Sequence, residues 1–294
     1  MRIVRLVIVF LVIAVGAGLW LTAPKTVTPG DISAITPDLE RGKWVFHAGG
    51  CAGCHAAPDS DDPYLLAGGL ALASPFGTFY APNISSDPDH GIGDWTAEDL
   101  ANAMIHGTSP DGQHYYPAFP YPSYTKADPS DIVSLHAYMQ TLPADATPSR
   151  AHDLGFPFNI RLALGGWKLL FMRDDWVVAP GDLNDQETHG RYLAEAMGHC
   201  GECHTPRNLL GGPATGEWLA GGPNPAGQGK IPNITPAGLA WSQDEIAEYL
   251  SSGFTPDYDV VGGHMAEIVE NYARLTPEDR AAVAAYLKRV PPRE

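Results

Sequence analysis

Basic residues are scarce in this chain. Its 294 residues include 18 Lys and Arg against 34 Asp and Glu, for a formal net charge of −16. The acids are spread over both halves, so there is no basic face to meet phosphates, and nucleic acid is excluded as a partner. An acidic surface instead keeps an exported protein soluble or steers it towards a basic docking site. Long apolar runs are also scarce. One exists, Leu6 to Leu21, preceded by Arg2 and Arg5, which is the pattern of an export signal or a single membrane anchor. Val15-Gly16-Ala17 is a mediocre cleavage site, so residues 1–24 are expected to stay as an uncleaved anchor on the periplasmic side of the inner membrane. A cleaved signal and a soluble periplasmic product is the alternative. No motif for flavin, pyrroloquinoline quinone or molybdenum occurs, so any substrate oxidation would belong to a partner.

Cysteine is rarer still, with four residues and none spare. They form two identical patterns, Cys51-Ala52-Gly53-Cys54-His55 and Cys200-Gly201-Glu202-Cys203-His204. A zinc ribbon draws four ligands from two nearby knuckles, whereas these pairs lie 149 residues apart (200 minus 51) and each carries its own His. A redox disulfide needs one motif in a βαβ setting, and no such alternation is present. The spacing is that of covalent haem attachment: two thiols reach two vinyl groups of one porphyrin while the adjacent imidazole meets the iron. Cys51, Cys54 and His55 would hold one haem c, and Cys200, Cys203 and His204 a second.

The two halves repeat each other. Trp95-Thr96-Ala97-Glu98-Asp99-Leu100 matches Trp241-Ser242-Gln243-Asp244-Glu245-Ile246, each opening a helix with a Ser/Thr cap and acids in the first turn. Both helices stop at a glycine, Gly107 or Gly253, twelve residues after the Trp (107 minus 95, 253 minus 241). Ala81-Pro82-Asn83-Ile84 answers Ile231-Pro232-Asn233-Ile234, and Asp131 to Met139 answers Asp279 to Leu287. The loops are rich in Gly and Pro with little strand alternation. We therefore expect an all-α protein with an N-terminal hydrophobic helix, a first domain over 32–143, a connector over 144–186 and a second domain over 187–294. The apolar connector stretch Trp167 to Met172 is too short to span a bilayer. It reads as a helix packed between the domains or as a membrane-surface contact.

These motifs, with Tyr116-Pro117-Ala118-Phe119-Pro120-Tyr121-Pro122-Ser123-Tyr124 and Gly91-Ile92-Gly93-Asp94-Trp95, give the chain a resemblance to a known group. It resembles the cytochrome c subunits of membrane-bound alcohol and gluconate dehydrogenases and similar diheme cytochromes. The resemblance implies class I cytochrome c folds and electron transfer from a dehydrogenase towards a quinone or a terminal oxidase. Those subunits usually hold three haem domains; this chain has two. At the middle of the segment matching Ala118-Phe119-Pro120 the family commonly has a methionine, and here a phenylalanine stands there.

The sixth ligands follow from the repeat. The later half contains only Met172, Met197 and Met265. Met265 precedes the last helix and is the expected ligand of the second iron, with His264 as its competitor. Phe119 lies at the same offset from Gly107 as Met265 from Gly253 (twelve residues each), so the first iron needs another group or stays open. His114 is the leading candidate; Met104 and Met139 are others, and His106 reads as a helix-terminal histidine. Two haems in one chain make an electron relay the leading function, and a haem enzyme such as a peroxidase or small-molecule oxidase, with an open first iron, the alternative. Intact mass of the exported protein is expected to show two covalent haems, and changing Cys51 and Cys54 to Ser should leave one. A wild-type mass with a single haem would break the reading.

Overall fold

The computed structural model describes residues 2–224, 227 and 229–294. Helix α1 (Arg2–Leu21) has no buried residue and leads into the body of the protein. In the first domain α2 (Leu39–Ala48), α3 (Ala97–His106) and α4 (Pro129–Met139) surround the first Cys-x-x-Cys-His turn. Helix α5 (Ala163–Phe171) belongs to the connector. The second domain uses α6 (Asp185–Arg191), α7 (Gln243–Ser252), α8 (His264–Tyr272) and α9 (Pro277–Leu287).

The matched sequence signals have matched geometry. Thr96 and Ser242 each close a capping box, with Asp99 and Glu245 respectively, and Gly107 and Gly253 end their helices in the left-handed conformation at φ 60° and 75°. The first helix of each domain crosses the last at a glycine. A Cβ at Gly42 would collide with the Ser134 carbonyl, and one at Gly190 with the Ala282 carbonyl, so these helix pairs pack backbone to backbone. Phe46, Ile132, Leu193, Met197 and Tyr286 fill the space around them.

The fold departs from a purely helical protein in three short strands and a two-stranded ribbon. Strands β1 (Ala71–Ser74) and β2 (Gly77–Tyr80) form a hairpin, which β3 (Asp153–Leu154) of the connector extends antiparallel. In the second domain β4 (Gly222–Pro223) pairs β5 (Lys230–Ile231). These ladders are too short for alternation to show in the sequence. A second difference lies between the domains themselves. Gly42 stands nine residues before Cys51, whereas Gly190 stands ten before Cys200. The extra residue is absorbed as a π-helical turn over Tyr192–Met197.

The two domains meet about an approximate twofold relation through a matched pair of carboxylates. Asp131 receives the Arg41 guanidinium in a fork, at 2.6 and 2.7 Å, and the Tyr192 hydroxyl of the second domain at 2.5 Å. Asp279 receives His189 Nε2 at 2.6 Å and the Trp44 indole N–H of the first domain at 2.9 Å. Each domain's last helix thus binds a donor from the other's first helix. Burial opposes ionisation of Asp279, but the donors His189, Trp44 and Thr276 hold its carboxyl well below the usual range.

Removing this charge leaves the remaining donors unpaired, so Asp279→Asn is expected to cost about 3 kcal/mol in chemical denaturation. Because the folded value is depressed, its contribution is complete above the unfolded carboxylate value of about 3.9 and is lost as pH falls below that. An acid-unfolding midpoint in Asp279→Asn equal to that of wild type would refute this role.

Candidate functional site

Each Cys-x-x-Cys-His motif forms one helical turn, Cys51–His55 or Gly201–His204. Three-residue spacing on a turn puts both thiols on one side. None of the four cysteines pairs in a disulfide, and burial pushes the thiols up, Cys51 and Cys200 to about 12. Cys54 is pushed to about 11 by burial, then by Glu267 and by Cys203 of the other turn. A sulfur held uncharged suits a thioether.

The histidines are oriented alike. His55 Nδ1–H donates to the Pro82 carbonyl at 2.9 Å, and His204 Nδ1–H to the Pro232 carbonyl at 2.9 Å. Burial lowers both imidazole pKa values, so each ring is neutral with the lone pair on Nε2, the state an iron requires. Asn83 and Asn233 hold these carbonyl loops in place. Asn83 donates to the carbonyls of Asp145 and Thr147, and Asn233 to that of Arg293, so each loop is tied to the chain leaving that domain's last helix. The pairing of Pro-Asn-Ile segments was visible in the sequence, but its purpose was not, because a backbone acceptor carries no side-chain signature.

The two loops that carry the candidate sixth ligands begin with matching backbone hydrogen bonds. The bridge between Thr108 and His114 matches that between Phe254 and Val260. Tyr115 N–H donates to Gly107 O at 2.7 Å, as Val261 N–H does to Gly253 O at 2.8 Å. This register sets Phe119 opposite Met265 and His114 opposite Val260. Met265 is partly buried against the core, while the His264 side chain is 71% exposed. Phe119 lies among rings, 5.9 Å from Tyr115 and 5.8 Å from Tyr124. Met104 and Met139 are core residues.

His114 has both ring nitrogens engaged. Nε2–H donates to the Thr22 carbonyl at 2.9 Å, and Nδ1 accepts from the Lys168 ammonium at 3.0 Å. Burial and the Lys168 charge lower its pKa, in keeping with a neutral ring in that tautomer. Binding an iron would require it to release one of these partners.

The turns of the two domains abut. Helix α8 of the second domain lies on the first turn, where a Cβ at Gly53 would stand 3.2 Å from the Glu267 carboxylate and one at Gly50 3.6 Å from Ile268. In return Ser123, just after Phe119, donates to Glu202 in the second turn at 3.1 Å. His199, in the left-handed region at φ 39°, donates to the Gly49 carbonyl at 3.3 Å and sets its ring edge-on to Tyr124. The cytochrome c family model matches residues 39–143 and again 188–291, one copy per turn. The chain belongs to the cytochrome c family.

It is 58% identical over 281 residues to a diheme cytochrome c-type protein of Cereibacter sphaeroides, covering 95% of each chain. It is 40% identical to the fructose dehydrogenase cytochrome subunit of Gluconobacter japonicus, covering 90% of this chain and 54% of that one. With the gluconate 2-dehydrogenase cytochrome c subunit of Pantoea cypripedii the identity is 34%, over 85% and 59%. The chain therefore spans just over half the length of these dehydrogenase subunits. The protein is a diheme cytochrome c with two covalently bound haem c groups.

Met265→Ala is expected to abolish the near-infrared sulfur-to-iron absorption of one haem and to lower that haem's potential, because a thioether favours the reduced iron. An unchanged spectrum would transfer the assignment to His264.

Proposed function

We propose that this diheme cytochrome carries electrons on the periplasmic side of the membrane, from a membrane-associated dehydrogenase to a quinone or terminal oxidase, held there by α1. Haem supplies the reversible one-electron couple. The observation that carries the reading is the contact between the two attachment turns, each covered by the segment that follows the other domain's sixth-ligand position. Such an arrangement holds the two attachment turns together, and a relay would need haems bound at neighbouring sites. The dehydrogenase partner is supported by the cytochrome subunits among the relatives. The anchor is supported by α1, a twenty-residue helix with an 18-residue stretch of mean hydropathy 2.6 that buries nothing in the protein. Arg2 and Arg5 at its start support a cytoplasmic N-terminal end by the positive-inside rule. Purification from membranes in mild detergent is expected to bring down a dehydrogenase with the cytochrome. Recovery of the haem protein from the soluble fraction, trimmed of α1, would remove the anchor from the reading.

The first haem is proposed to have the lower potential, since Phe119 denies it the thioether that Met265 offers the second. A redox titration is expected to resolve two steps, the lower one assigned by selective loss in the Cys51/Cys54 variant; equal potentials would defeat the ordering. His114→Ala is expected to leave the first haem's spectrum unchanged, the ring staying with Thr22 and Lys168. Loss of a six-coordinate spectrum would instead place His114 on the iron. Phe119 also favours a second reading, an open first iron serving small-molecule chemistry, which binding of carbon monoxide by the reduced protein would support.

A further inference from the structure

The outer face of the connector is apolar where a surface helix is ordinarily polar. In α5 the buried side is Gly165, and the exposed stripe at helical spacing carries Leu162, Leu169 and Leu170. The flanking connector adds Phe156, which is 82% exposed, and the neighbouring loop of the second domain adds Leu209, which is 97% exposed, and Leu210. These segments are joined: the Trp167 indole N–H donates to the Leu210 carbonyl at 2.9 Å, and Phe158 packs on Phe76 of the first domain with ring centroids 4.9 Å apart. An exposed apolar surface drawn from both domains and the connector marks an interaction site.

Two observations identify its occupant. First, the surface begins where α1 ends. Thr22, the residue after α1, accepts from His114 and lies so close to Gly165 that a Cβ there would meet its carbonyl. Lys168, one turn on in α5, secures the same point by donating to the His106 and Gly107 carbonyls at 2.6 and 2.8 Å. The helix that enters the bilayer is thus fastened to the helix that bears the apolar stripe. Second, acids are kept off the stretch. In a chain of net charge −16, residues 154–173 contain Arg161, Lys168 and Arg173 and no acid, the nearest being Asp153, Asp174 and Asp175 at its ends. An apolar helix face free of acids beside a membrane span fits a lipid surface.

We propose that the connector is a second membrane contact: α5 and the Leu209-Leu210 loop lie in the headgroup region of the bilayer that α1 enters. The inference rests on α1 being a retained anchor. It fixes the orientation of the whole body, because one flexible tether would let the domains swing while a tether plus a docked face does not.

The full-length, haem-loaded protein, reconstituted in liposomes of phosphatidylcholine and phosphatidylglycerol, supplies the test. Its native cysteines are consumed by thioethers, so one introduced thiol takes a photoreactive benzophenone maleimide uniquely. Labels are placed through Leu162→Cys and Leu170→Cys, with Trp20→Cys in α1 and Glu278→Cys on the exposed start of α9 as references. Irradiation is expected to give lipid adducts by intact mass at 20, 162 and 170, and their loss at 278. Adducts at 20 alone would overturn the docked face while leaving the anchor standing, as would protection of 162 and 170 by a protein partner. Absence of adducts at 20, 162 and 170 would overturn the anchor and the docked face together.

Discussion

Two carboxylates hold this molecule in its working shape. Asp131 and Asp279 occupy matching positions in the first turn of matching helices, and each collects one donor from its own domain's first helix and one from the other domain's. Neither domain can satisfy its own carboxylate fully without the other. Buried ionic groups add little net stability when measured against apolar replacements, but they penalise misalignment heavily. Here the penalty acts on the relative position of the two haem turns. The reciprocal coverage of those turns, α8 on the first and the Phe119 segment on the second, follows from that registration.

The chemistry was far more legible than the architecture. Cys-x-x-Cys-His is a local signature because its geometry is settled within one helical turn, and the paired caps and glycines are local for the same reason. The opposition of Phe119 and Met265 was readable by counting from Gly107 and Gly253, since the intervening loops have equal length. What the sequence concealed depends on partners far along the chain. Trp44 and Asp279 are 235 residues apart, and a Trp beside a Gly-x-Trp helix reads simply as core. The π-turn left a trace in the one-residue difference between Gly42–Cys51 and Gly190–Cys200, but length alone does not say whether a residue is looped out or wound in. His114 shows another limit. Its position on the loop makes it a candidate ligand, while its hydrogen-bond partners Thr22 and Lys168 come from segments that no local pattern connects to it.

That same histidine joins three otherwise separate parts. The end of α1, the connector helix and the first sixth-ligand loop converge on its ring, and Arg161 reinforces the junction by donating to the His114 carbonyl at 3.0 Å. Lys168 serves there as a cation at the C-terminus of α3, where exposed carbonyls carry partial negative charge. Burial lowers it to about 8, so it retains a proton for this role at neutral pH. The loop bearing Phe119 is therefore braced by the end of α1 and the connector, whereas the segment after Met265 packs on the first domain.

The repeat preserves what orients each haem and varies what tunes it. Both proximal histidines use a prolyl carbonyl at 2.9 Å, so their donor strength is matched and a difference in potential has to arise elsewhere. One source is the exchange of thioether for ring at Met265 and Phe119. A second is the carboxylate beside each turn. Glu202 in the second turn is paired with Arg207, whereas Glu267, brought to the first turn by α8, has the more distant His264 at 3.9 Å as its ion-pair partner among the described residues. An uncompensated negative charge beside an iron favours the oxidised state by simple Coulomb attraction, and a compensated one does so much less. Burial raises the pKa of Glu267, and its charge acts on the first turn where the carboxyl is ionised. Both differences act in the same direction and support the proposed order, with the first haem below the second. The second domain supplies one of them, so on that proposal the potential of the first haem would depend on the docked pair.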